Sequence, residues 1–156
     1  MSNEIKFADI ESALESEGRY VGMTSGVSML PMIKSGKDVV VIRKKGKRLG
    51  VFDVALYKRS ENTYVLHRVI ALTDTGYIIR GDNCYENESV DENSVIGVLE
   101  TYFKGEKQVD LGGKKYLNYV KKRISNYPVR KFFYVTKQKI KRALKKIVRG
   151  KRNEKR

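Results

Sequence analysis

The chain has 156 residues, 40% apolar and 33% charged, a length that supports one hydrophobic core with an appendage and not two full domains. Its net charge of +15 is unevenly placed: residues 114–156 hold 18 Lys and Arg against one acid, a net +17, which leaves 15 basic and 17 acidic residues, a net −2, for residues 1–113. The positive charge therefore belongs to a C-terminal tail, and so does any anionic partner it meets.

A single cysteine, Cys84, excludes an internal disulfide. No segment approaches the ~20 apolar residues that cross a bilayer. Glu4, Asp9, Glu11, Glu15 and Glu17 are the wrong chemistry for a secretory signal, so a cytoplasmic protein is expected.

Residues 5–18 read as a short amphipathic helix, with Ile5, Ile10 and Leu14 at helical spacing and Gly18 as its stop. Strands are expected over Tyr20–Thr24, Asp38–Lys44 with its β-branched run, Phe52–Lys58, Tyr64–Leu72, Tyr77–Arg80 and Ser94–Phe103. Between them, Lys44–Lys47, Ser60–Asn62 and Asp74–Gly76 read as turns and Gly81–Asn93 as a polar loop, and Gly105 and Gly112–Gly113 mark the exit. Short strands with frequent turns imply a compact, mainly antiparallel β domain over residues 20–113. From Lys114 the period becomes helical, with Tyr116, Val120 and Ile124 on one face, a break at Asn126–Pro128, and a second helix over Val129–Val148. The last six residues, 151–156, read as unstructured.

Three strings carry chemistry. In GVSMLP, residues 26–31, Gly26, Met29 and Pro31 build a tight turn that presents Ser28 ahead of a strand, where neighbouring backbone N–H groups can hold an oxyanion. A serine needs a base to act as a nucleophile near neutral pH. His67, the only histidine, lies within the strand string VLHRVI and has a suitable pKa range for that task. The third string, IIRGDN, places Asp82 at the mouth of a polar loop. Asp82 is the first candidate for the carboxylate that orients the imidazole, beside the plainer reading of an Asp-Asn turn. One His and one Cys make a poor zinc site, and neither metal nor cofactor is expected.

These strings occur in the order and approximate spacing of the superfamily of signal peptidase I and the self-cleaving repressors, which residues 20–100 resemble. The resemblance implies the mainly β fold of that type, with Ser28 as nucleophile and His67 where most bacterial members carry Lys. Histidine at that place is the pattern of archaeal and endoplasmic-reticulum signal peptidases. Gly26 stands where signal peptidases carry Ser, so the oxyanion hole is expected to rest on backbone donors, chiefly at Ser28. The resemblance further implies a shallow groove that pairs with an extended substrate by its backbone, with small residues before the cut. An anchorless maturation peptidase acting on a peptide or precursor protein is the expected function.

The alternative is an inactive peptidase fold that docks through its tail. For residues 114–156 an anionic membrane surface is the preferred partner, which would make the protein peripheral at the inner membrane. Nucleic-acid phosphate ranks behind it, and packing of the apolar stripe on the β domain is the third reading.

Overall fold

The computed structural model describes residues 8–60 and 63–153. The chain divides into two units, Met1–Asn118 and Tyr119–Arg156. The first holds the mainly antiparallel β domain that the turn spacing implies. It opens with helix α1, Ala8–Ser16. Eight strands follow among the described residues: β1 Arg19–Met23, β2 Val39–Lys44, β3 Val54–Ser60, β4 Thr63–Leu72, β5 Gly76–Arg80, β6 Glu88–Asp91, β7 Val95–Lys104 and β8 Lys107–Val109. They form one sheet in the order β1-β2-β7-β3-β4-β5-β6, with β8 added to β7, and every pairing is antiparallel.

The strands sit where β-branched and aromatic residues cluster, because those side chains pack well on a pleated surface. Leu49, Ala55, Tyr57, Val69, Tyr77, Ile79, Val90, Val95 and Val98 form one buried cluster. In β4 the simple alternation of buried and exposed residues gives way, and Leu66, His67, Arg68 and Val69 are all buried. Side chains on both faces of this strand are thus covered, which a flat one-sided sheet does not allow. A register shift between Val69 and Ala71 accompanies the change.

The run Gly81–Asn93 is not all loop, because it contains β6 and the start of a 3₁₀ turn, Glu92–Ser94. Val90 is the one buried side chain of β6. Its neighbours Glu88, Ser89 and Asp91 have low strand propensity, and backbone pairing to β5 overrides it. The strand expected from Phe52 begins at Val54, since Val51 and Phe52 form a turn and Phe52 has φ 83°. That conformation is rare for a bulky side chain. Here it is held at both ends: Phe52 N–H donates to the Val69 carbonyl at 2.9 Å, and its own carbonyl accepts from Arg68 at 2.9 Å.

Helix α2 spans Lys114–Ser125 and α3 spans Tyr127–Asn153, so the expected break survives only at Asn126. Pro128 lies in the first turn of α3, where its missing N–H costs no helical hydrogen bond. The helix runs three residues into the segment expected to be unstructured, and two of the three, Lys151 and Arg152, are good helix formers. Residues 5–7, the start of the expected N-terminal helix, and 154–156 lie outside the described residues. The division between the units falls inside α2, and within the first unit Arg68 of β4 donates to the Tyr116 hydroxyl. Among the described residues no helix is long and apolar enough to cross a membrane.

Candidate active site

Ser28 lies in the turn between β1 and β2, and Gly26 before it has φ 83°, the left-handed region that glycine adopts at little cost. Buried Met29 pins the turn from within, and its carbonyl accepts the Ile33 N–H at 3.0 Å. The Leu30–Pro31 peptide is cis. The result is a half-buried Ser28 at the rim of a cleft of about 660 Å³. Among the described residues neither Ser28 N–H nor Ser28 Oγ has a hydrogen-bond partner, so both are available to a ligand.

The third string meets the first directly. Asn83 N–H donates to the Ser28 carbonyl at 2.7 Å, and its side-chain amide donates to the Val27 carbonyl at 3.2 Å. Beneath this junction lies Gly81. A Cβ at that position would stand 2.8 Å from the Ser28 carbonyl oxygen, 2.9 Å from His67 Nε2 and 2.8 Å from Cys84 Sγ. The serine turn, the imidazole and the thiol thus converge on one point that only a glycine leaves open. Gly81→Ala is expected to push Ser28 and His67 apart and lower the activity proposed below about 10²-fold, since displacements near 1 Å cost that much. The accompanying loss of stability is expected to be about 1–3 kcal/mol. Steady-state kinetics beside urea unfolding separates the two effects.

His67 is 4% exposed and sits on β4. Its Nδ1 lies 3.3 Å from the Tyr57 hydroxyl and 3.4 Å from Glu88 Oε1. Tyr57 spends its own proton on Glu88 Oε2 at 2.8 Å, and Arg59 donates to the same phenol oxygen at 3.2 Å. Tyr57 can therefore only accept from the imidazole. That assigns the histidine proton to Nδ1 and leaves Nε2, on the Gly81 side, as the basic nitrogen. Arg59 also binds Glu88, at 2.6 Å to Oε1 and 2.5 Å to Oε2, and fixes the carboxylate.

Asp82 does not take the expected role. Both of its oxygens are engaged by Arg68, Nε to Oδ1 at 2.8 Å and Nη2 to Oδ2 at 2.7 Å. Successive residues of a strand point to opposite faces, so His67 and Arg68 look to different sides of β4. Asp82 serves the Arg68 side, and the carboxylate paired with the imidazole is Glu88.

Burial pushes the His67 pKa below its ordinary value of 6.5; Glu88 and Asp82 oppose the shift and Arg59 adds to it. The imidazole is therefore neutral at pH 7 and able to accept a proton. Burial, and then the charge of Glu88, push the Cys84 thiol up, which keeps it protonated. Reactive cysteines have lowered values, so Cys84 is not the group poised to attack.

No protein-family model and no curated protein matches this chain.

Proposed function

We propose that this protein is a serine endopeptidase of the kind its three strings resemble, with Ser28 as nucleophile and His67 as general base. The observation that carries the reading is the convergence over Gly81 of the Ser28 turn and His67 Nε2, with Nδ1 held by Tyr57 and Glu88.

The steps follow from the atoms. A peptide carbonyl enters the cleft and closes the contact between Ser28 Oγ and Nε2, which is loose in many sites without substrate. Oγ attacks the carbonyl carbon as its proton passes to Nε2. The resulting imidazolium is stabilised by Glu88 across Nδ1–H, and the Ser28 N–H faces the oxyanion. Collapse breaks the C–N bond, and Nε2 returns the proton to the leaving amine. Water then hydrolyses the acyl-serine with His67 again as base. The substrate is a peptide or precursor protein. Its side chains meet a largely apolar wall that includes Met23, Met29, Ile33, Val40 and Leu66.

Incubation with a mixed-sequence peptide library, read by mass spectrometry, tests the activity. Cleavage by the unmodified chain and none by Ser28→Ala is expected. Cleavage that survives in Ser28→Ala, or none by a folded unmodified chain, would remove the proposal.

The pH dependence tests the base. For His67 the folded pKa lies below the unfolded one, so kcat/KM should rise with pH through a value under about 6.5 and be flat across neutrality. By the same sign, the unfolded chain binds the extra proton, and stability should fall as pH drops below the unfolded value. Glu88→Gln removes the carboxylate that raises the His67 pKa while burial and Arg59 still lower it. The acid limb should then move to lower pH, while kcat falls about 10²-fold because the imidazolium loses its counter-charge. A limb that stays in place would mean that Glu88 does not act on His67.

A further inference from the structure

We infer that α3 is a docking helix for an anionic membrane surface and lies in the plane of the interface. The helix has 27 residues, of which 11 are Lys or Arg and none is Asp or Glu. Val129, Phe133, Ile140 and Leu144 follow one another at intervals of four, seven and four, which sets them in one stripe of a helix of period 3.6. All four are more than half exposed, at 57%, 66%, 56% and 58%, and Phe132 beside them is 66% exposed. Lys131, Lys137, Lys141, Arg142 and Lys145 occupy the remaining circumference.

A row of five exposed large apolar side chains marks an interaction surface. Its charge selects the partner. A second copy of the same stripe would bring two helices of like charge together. A nucleic-acid backbone would satisfy the lysines, and bases could stack on Phe132 and Phe133, but Ile140 and Leu144 would gain nothing. An anionic bilayer satisfies both halves: the stripe enters the boundary between headgroups and acyl chains, and the lysines and arginines reach the phosphates. The helix is about 40 Å long, and its 11 charges keep it from crossing.

The test is co-sedimentation of the full chain with vesicles of phosphatidylcholine and phosphatidylglycerol in equal parts, and with vesicles of phosphatidylcholine alone. Strong pelleting with the first, little with the second, and weakening by salt are expected. The double variant Phe133→Ser, Ile140→Ser, checked for helix content by circular dichroism, should bind the anionic vesicles at least tenfold more weakly. A second variant, Lys137→Gln with Lys141→Gln, keeps the stripe and should also lose affinity. No pelleting, or equal pelleting of the serine variant, would overturn the inference. So would displacement from the vesicles by duplex DNA that binds both serine and unmodified chains alike, which would assign the helix to nucleic acid. Binding needs neither Ser28 nor His67, so Ser28→Ala must sediment like the unmodified chain whatever becomes of the peptidase reading.

Discussion

Asp82→Ala is expected to lower the unfolding free energy by about 3–5 kcal/mol, the usual cost of removing one partner from a buried ion pair. The Arg68 side chain is 0% exposed and that of Asp82 is 3% exposed. Burial opposes the charge on Arg68, but the two hydrogen bonds to Asp82 more than offset it and hold the guanidinium above its ordinary range. Without Asp82 that charge would stay buried with only neutral partners: the Phe52 carbonyl at 2.9 Å, the Tyr116 hydroxyl at 3.0 Å and Met32 Sδ at 2.9 Å. The pair also ties the loop that carries Asn83 to β4, and Asn83 in turn holds the serine turn. Urea midpoints at constant slope measure the effect. Adding Arg68→Met removes the stranded charge and should recover part of the loss. A cost under about 1 kcal/mol for Asp82→Ala would show that this ion pair is not what fixes the loop.

The second large effect is on the proposed peptidase activity. Ser28→Ala and His67→Ala should each lower kcat/KM by about 10⁴-fold or more, and the double variant should lose no more than either single one, because nucleophile and base act as a unit. Ser28 is half-buried and makes no side-chain hydrogen bond among the described residues, so Ser28→Ala should change stability by less than about 1 kcal/mol. A loss of activity without a loss of fold separates a reacting group from a structural one. Losses that simply add in the double variant would mean that the two residues act independently.

Much of this arrangement is legible in the chain before folding. The Ser28 turn announces itself through Gly26 and Pro31, and His67 through its place in an apolar strand. The strands with β-branched cores fall within two residues of their expected starts. What the sequence hides is which acid serves which cation. IIRGDN puts Asp82 close behind a strand, but local order cannot say whether it will face His67 or its neighbour Arg68, since those two point to opposite sides. Glu88 is concealed for another reason. It opens a four-residue strand of Glu, Ser, Val and Asp, a composition that reads as loop, and only pairing with β5 makes it a strand. Tyr57 and Arg59 carry no motif at all. Their relation to His67 arises because Ala55 and not Tyr57 is its cross-strand partner, so contact with Tyr57 is diagonal and depends on the twist of the hairpin. The apolar stripe of α3 is legible in its helical spacing, and the first-turn place of Pro128 shows why a proline near an expected break can begin a helix instead.

The most direct test of the central claim is site mapping by mass spectrometry after exposure to serine-directed acylating probes at neutral pH, with a penem and a peptide aldehyde in the panel. The account predicts one adduct, on Ser28, absent from Ser28→Ala and greatly slowed in His67→Ala. An adduct that persists in Ser28→Ala, or a folded chain that no probe labels, would contradict it and leave a binding protein whose work is done by α3.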